Sequence, residues 1–202
     1  MGREGAHSDV SAILMASGFS RRFGEQDKLL ATFRGKALAR YTLELVTRMD
    51  FGQIFFIVAS DYVAALAEDL SAVRVVKNAA PEKGRRESVR LGLEAAGSDP
   101  AYYLFFPCDQ PFLDVPSVQR ILDARQPGCI VEPRYQGRPG NLTCRGSPSL
   151  FSAAFREELL SLKEGEAPGS IKTRRPEALI GVELDNSLVL KDIDDEETLK
   201  NA

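Results

Sequence analysis

ILMASGFSRRFGEQDKLL, residues 13–30, runs from a continuous apolar stretch straight into two glycines, two arginines and a lysine. Residues Ser11–Ala16 have the character of a buried strand, so the loop Ser17–Lys28 lies beyond its carboxyl end. In an open α/β sheet that is where ligands bind, because loops and helix N-termini meet there. Gly18 and Gly24 allow turns and a close approach that a side chain would block. Successive N–H groups in such a loop make an anion-binding concavity. Arg21, Arg22 and Lys28 bring three cations into this loop, and Ser20 adds a hydroxyl donor. The loop reads as a phosphate clamp or, from these residues alone, equally as a solvated basic surface loop. Its spacing matches neither G-x-x-x-x-G-K-[ST] nor G-x-G-x-x-G, so it is neither a P-loop nor a dinucleotide fingerprint.

Outward from this loop, short apolar runs alternate with helical-period stretches, which is the pattern of an α/β fold. The spacing predicts a helix over Ala37–Arg48, a strand over Gln53–Ser60 with Asp61 capping the next helix, and a strand at Val73–Lys77. A helix follows at Arg86–Ala96, then the near-continuous apolar strand Ala101–Pro107, suited to a parallel sheet covered on both faces. Asp114 and Pro116 open a helix to about Arg125. Ile130–Pro133 and Leu142–Arg145 read as strands flanking the Gly/Pro-rich turn Tyr135–Asn141. Leu150–Leu162 reads as a helix, Gly165–Gly169 as a break, Val182 onward as a strand, and Asp194–Lys200 as a terminal helix. With no repeat or linker, the expectation is a flexible segment 1–10 followed by one domain, 11–202. Its halves, 11–125 and 126–202, would handle nucleotide and acceptor respectively.

At 202 residues, with 44% hydrophobic and 27% charged, the chain can bury a sizeable core. A formal net charge of −3 argues against a nucleic-acid partner, whose phosphates call for a basic surface. Cys108, Cys129 and Cys144 are odd in number and form no C-x-x-C, so reduced thiols and a cytoplasmic location are expected. No apolar run approaches the roughly 20 residues of a membrane helix, so no membrane partner is expected. The single histidine, His7, falls in the polar start, which disfavours histidine catalysis and multi-histidine metal sites.

Asp109, in Phe106–Pro111 (FPCDQP), follows the apolar strand and should project at the same sheet edge as the glycine loop. A hard carboxylate there suits Mg²⁺, which takes one or two carboxylates plus substrate phosphates. On its own the segment reads more readily as a turn; paired with the glycine loop it reads as a metal ligand.

Residues 16–24, ASGFSRRFG, followed by Lys28, closely resemble the A-A-G-x-S-x-R-[MF]-G…K signature of the MobA-like nucleotidyltransferases, and within them the molybdenum-cofactor cytidylyltransferases. Gly35–Leu38 resembles the following G-K-P-L, with alanine in place of proline. Asp109-Gln110-Pro111 resembles the family's D-[QM]-P; Asn78 with Gly84–Val89 resembles N-x-x-x-x-x-G-M-x-x-S-[LV], with Arg85 replacing methionine. Tyr135–Asn141 resembles Y-x-G-x-x-G-H-P with Asn141 for histidine and Leu142 for proline; Gly165–Ser170 resembles G-D-x-G-[AS]-R without its arginine. Asp192–Glu197 resembles D-I-D-T-P-E-D.

The resemblance implies a Rossmann-like nucleotidyltransferase fold with a mostly parallel central sheet flanked by helices. It implies transfer of a nucleoside monophosphate to the phosphate of a molybdopterin-type acceptor, with pyrophosphate released and a molybdoenzyme apoprotein as a further partner. Arg22, Lys28 and Asp109 would be catalytic, and Ala16, Ser17, Gly18, Ser20, Arg21, Gly24, Asn78, Arg86 and Ser88 would bind nucleotide. Asp109 and Asp194 would hold Mg²⁺, although Asp194 or Asp195 serves equally well as a helix cap. Ser17 is nearer the alanine of CTP-using members than the glycine of GTP-using ones, which favours CTP over GTP. The departures at Asn141 and 165–170 leave room for a sugar- or polyol-phosphate acceptor, or for a non-catalytic CTP-binding accessory protein.

Overall fold

The apolar run before the glycine loop becomes a central strand because its neighbours shield it completely: Ala12, Ile13 and Leu14 have no exposed surface. A computed structural model describes residues 5–18, 27–135 and 144–201. In chain order the elements are β1 (His7–Ala16), a 3₁₀ turn at Lys28–Leu30, β2 (Thr32–Phe33), β3 (Lys36–Ala37), α1 (Leu38–Thr47), β4 (Phe51–Val58), α2 (Asp61–Ala65) and β5 (Val73–Lys77). Next come α3 (Arg85–Ala96), β6 (Tyr102–Pro107), α4 (Val115–Asp123), β7 (Ile130–Tyr135), β8 (Cys144–Arg145) and β9 (Ser149–Ser152). The described chain closes with α5 (Arg156–Leu160), α6 (Pro168–Arg174), β10 (Leu179–Glu183) and α7 (Glu196–Asn201).

The sheet order is β10-β7-β9-β6-β1-β4-β5, with β8 paired to β7. β1 lies parallel between β4 and β6, β4 parallel to β5, and β7 parallel to β10, while β9 runs antiparallel between β6 and β7. The chain moves outward from β1 through β4 to β5, then returns to place β6 on the other side of β1. That reversal makes the carboxyl ends of β1 and β6 a topological switch point, where a crevice opens.

Alternation along β1 sends Ala12 and Leu14 to one core and Ile13 to the other. The first core is closed by Leu43 and Val46 of α1, Val63 of α2 and Ile121 of α4; the second by Val89 and Leu93 of α3, Leu159 of α5 and Ile171 of α6. Both faces are covered, which is why β1, β4 and β6 are apolar along nearly their whole length. Helix α3 sits directly on β1. A Cβ on Gly92 would stand 2.5 Å from Ile13 Cγ2, so only glycine permits this approach.

Several boundaries differ from expectation. β1 begins at His7, and the region around His7 is not frayed: His7 is buried, pairs in register with Phe51, and its Nε2 lies 3.1 Å from Gln119 Oε1. Ser60, not Asp61, caps α2, accepting from the Val63 N–H at 3.2 Å. Asp114 caps α4 as expected from its position before Pro116. The largest correction is at Leu150–Leu162. Residues up to Ser152 form strand β9, and only Arg156–Leu160 is α-helical. Leu150 and Phe151 have no exposed surface because they fill the slot between β6 and β7, and that tertiary fit overrides helical patterning. The break at 165–169 opens α6, which sequence patterning did not indicate, and the strand expected from Val182 starts at Leu179. β7 and β8 pair antiparallel, as expected of a hairpin, while 136–143 lie outside the described residues.

Candidate active site

β1 and β6 are parallel neighbours with Met15 opposite Pro107, so the segments that follow them leave the sheet side by side. Asp27 caps the 3₁₀ turn that presents Lys28. The Lys28 Nζ lies 2.5 Å from Asp109 Oδ2 and 3.2 Å from Asp194 Oδ1. The Ile193 N–H donates to the Asp109 carbonyl at 2.9 Å, which holds the segment bearing Asp194 against the loop after β6. Lys28 and Asp109 side chains are each 18% exposed, Asp194 51%. Burial disfavours the charged ammonium, but Asp109, by charge and by hydrogen bond, outweighs it with help from Asp194. Lys28 is therefore held above the ordinary lysine value. The second carboxylate oxygen of Asp109, Oδ1, is buried with no hydrogen-bond partner among the described residues.

A second wall is built from hydroxyls. Ser17 Oγ and Ser88 Oγ are 2.6 Å apart, and Asn78 Nδ2 donates to Ser17 Oγ at 2.9 Å. Asn78 is itself fixed, its Oδ1 accepting from the Ala80 N–H at 3.0 Å and its N–H donating to the Val58 carbonyl at 2.7 Å. All three side chains are buried, so this wall is rigid before any ligand arrives.

Between the walls lies a cavity of about 670 Å³ lined by Ser17, Gly18, Lys28, Ser88, Asp109 and Asp194, a size that suits a nucleotide. Beside it is a second cavity of about 370 Å³, and Met15, Arg85, Ser147 and Asp192 line both. Six of the expected site residues thus converge on one crevice. Ala16 is buried at the end of β1, Asn78 stands behind Ser17, and Arg86 lies off the cavity wall with a buried Nε that has no partner among the described residues. Ser20, Arg21, Arg22 and Gly24 lie outside the described residues. The two readings of the terminal acids separate cleanly. Asp195 Oδ1 accepts from the Thr198 N–H at 2.7 Å and caps α7, while Asp194 turns to Lys28.

Among the described residues no group of three or more His, Cys, Asp or Glu side chains is gathered as a metal cage. Mg²⁺ does not need one, since substrate phosphates and water complete its shell. Asp109, with its buried unpartnered oxygen, and Asp194, drawn to the same cation, are a donor set of the right kind. Burial, then the charge of Asp109, pushes the carboxyl of Asp192 up; its Oδ1 accepts from Gln110 Nε2 at 2.8 Å. Burial pushes the Cys108 thiol far up, so it offers no thiolate to the site.

The residues missed by sequence reasoning line the second cavity: Gln110, Glu132, Ser149, Lys172 and Asp192. One signal was present in Glu132, a carboxylate inside the apolar run of β7 with no exposed surface. Lys172 carried none, because α6 was not expected. Among the described residues, no helix is long and apolar enough to cross a membrane.

A relative named nicotine blue oxidoreductase, from Paenarthrobacter nicotinovorans, is 27% identical over 173 residues, covering 85% of this chain and 84% of its own. Another, named molybdenum cofactor guanylyltransferase, from Ralstonia pickettii (strain 12J), is 28% identical over 140 residues, covering 65% and 66%. The solved structure of Rv0371c from Mycobacterium tuberculosis H37Rv has the same fold, with a TM-score of 0.79 at 22% identity, covering 95% of this chain and 96% of that one. The family described as MobA-like NTP transferase domain matches residues 12–178, from inside β1 to the turn before β10. That match spans the crevice at the β1–β6 switch point where lysine and aspartate meet: the chain belongs to the MobA-like NTP transferase family.

Proposed function

We propose that the protein transfers CMP from CTP to the phosphate of a molybdopterin-type acceptor and releases pyrophosphate. The observation that carries this reading is the bridge from Lys28 to Asp109 and Asp194 at the mouth of a cavity large enough for a nucleoside triphosphate. An acceptor phosphate oxygen attacks the α-phosphorus in line. The new P–O bond forms as the α–β bridging bond breaks, and its electrons leave with pyrophosphate. A phosphate monoester loses its second proton at a pH of about 6, so no general base is required. Positioning and charge stabilisation therefore supply the rate. Lys28 stabilises charge on the triphosphate, and Arg22 would add to it. Gly18 and the backbone beside it approach the phosphates. The Ser17–Ser88–Asn78 network holds the wall beside the base.

Asp109 and Asp194 would hold Mg²⁺, which when bound neutralises phosphate charge. CTP is favoured over GTP because Ser17 puts a fixed side chain where glycine would leave room for a purine. Thermal denaturation with CTP, GTP, ATP and UTP, each with Mg²⁺, tests the donor, since a bound ligand raises the midpoint by mass action. Pyrophosphate release with molybdopterin tests the acceptor. The redox name of one relative makes NADH and NADPH the controls. Stabilisation by these and by no triphosphate would overturn the proposal.

A further inference from the structure

Asp194 rides on a stretch with no regular structure of its own: a 3₁₀ turn ends at Leu190, residues 191–195 are neither helix nor strand, and α7 begins at Glu196. Its side chain is half exposed, yet it meets Lys28 at 3.2 Å. The path of this stretch is therefore fixed from outside. Ile193 has no exposed surface, packs with Phe33 and Leu38, and gives its N–H to the Asp109 carbonyl. Gln110 supplies the other hold. It is 3% exposed, and its Nε2 donates to the Leu190 carbonyl at 3.3 Å and to Asp192 Oδ1 at 2.8 Å.

Both partners are acceptors, which fixes the orientation of the amide. Oε1 is then left buried, with no partner among the described residues. A buried acceptor without a donor costs free energy that a methionine of similar length would not incur. The glutamine is better accounted for by what Nε2 holds than by packing. What it holds is part of a group of like charges. Asp109, Asp192 and Asp194 all line the larger cavity, where Lys28 forms ion pairs with Asp109 and Asp194 and Asp192 has its donor in Gln110. Desolvation, and next the charge of Asp109, disfavour an ionised Asp192, and the Gln110 donor works against both. Without that donor, repulsion from Asp109 would push residue 192 outward, and with it Asp194 two positions on.

We infer that Gln110 is a positioning residue for a divalent cation: by clasping Leu190 and Asp192 it sets Asp194 beside Asp109, so that both carboxylates reach one ion. The inference rests on the Mg²⁺ part of the transfer reading. Gln110 does not touch the ion; it acts through the segment that brings Asp194. Two neighbouring residues of the loop after β6 thus divide the work, Asp109 as a ligand and Gln110 as the group that orients the other ligand.

Mn²⁺, which takes the same carboxylate and water oxygens, is the probe, its affinity for the nucleotide-free chain read from water-proton relaxation. Gln110→Met keeps the length of the side chain and is expected to weaken Mn²⁺ binding by about tenfold or more, the scale on which groups that orient a metal ligand act. Asp192→Ala breaks the clasp from the other side and should do the same. Asp192→Asn keeps an acceptor for Gln110 and should stay within about threefold of the parent. Circular dichroism checks that each variant folds. Hydrogen exchange supplies a readout that a general loss of stability would not give: in Gln110→Met the Ile193 amide should exchange about tenfold faster or more, with the amides of β4 unchanged. Mn²⁺ binding unaffected by Gln110→Met, binding lost as fully in Asp192→Asn as in Asp192→Ala, or exchange that quickens equally across the sheet overturns the inference. Asp194→Asn separates it from the reading beneath. An effect there with none from Gln110→Met removes the inference alone, and no effect there removes the metal reading with it.

Discussion

Lys28→Met is the sharpest test of the crevice, because it keeps the apolar stem and removes the cation lying 2.5 Å from Asp109 and 3.2 Å from Asp194. A hydrogen bond to a charged group contributes about 1.5–3 kcal/mol, and the Asp109 contact, mostly shielded from water, belongs in that range. Asp194 is half exposed, so its share is at most about 1 kcal/mol. The variant should therefore lose about 2–4 kcal/mol. For a chain of this size each kcal/mol moves the thermal midpoint by about 2–4 °C, which gives a fall of roughly 5–15 °C.

The same substitution leaves two carboxylates facing a gap with no cation between them among the described residues. Mg²⁺ should then stabilise the variant more than the parent, by about 2.7 kcal/mol at a hundredfold excess over Kd. Circular dichroism melts in MgCl₂ against NaCl of matched ionic strength separate specific binding from screening. A variant that melts within about 1 °C of the parent, with the same response to Mg²⁺, would refute both the coupling of these three residues and their fit to a divalent ion.

Other perturbations follow from the same geometry. Asp109→Asn should fold, yet pyrophosphate release should fall about a hundredfold or more, as when a charge-stabilising group is removed from a transfer site. Ser88→Ala removes one of the hydrogen bonds on Ser17 and should weaken nucleotide binding by about 1 kcal/mol in calorimetry, with pyrophosphate release recovering at high nucleotide. Gly92→Ala gains about 1 kcal/mol of helix propensity but loses about 1–3 kcal/mol by driving a methyl into Ile13. A lower urea midpoint at unchanged slope is the expected result. The hydrogen bond from Arg90, helped by neighbouring charge, holds the Glu87 carboxyl below the usual range despite burial. Its contribution is complete above the unfolded value of about 4.3 and is lost as pH falls through the lower folded value. Glu87→Gln should therefore flatten the acid side of the stability curve, and denaturant titrations from about pH 3 to 7, which span the range over which a glutamate changes state, measure it.

The parts of this molecule that could be read from sequence are those where one local rule decides. β6 was legible because FFP ends an apolar run long enough for only one kind of strand, and Asp109 because a carboxylate just past it has one edge on which to emerge. α3 was legible from its apolar period. β9 was not. Leu150 and Phe151 look the same in a helix or a strand, and their state is decided by β6 and β7, which they touch only after the chain has doubled back. The role of Asp194 was undecidable from spacing, since either neighbour could cap α7; what decides it is Lys28, 166 residues away. Gln110 sat in plain view within a motif, but that its Oε1 is the end left without a partner among the described residues depends on Asp192 and the Leu190 carbonyl claiming the other end of the amide.

That long span between Lys28 and Asp194 has a consequence for synthesis on the ribosome. At about 5–20 residues per second, translation brings Asp194 out roughly ten to thirty seconds after Lys28. For that interval a nascent chain carries Lys28 without the last of its acidic partners. The proposed triphosphate site is complete only when the segment carrying Asp194 has reached that lysine.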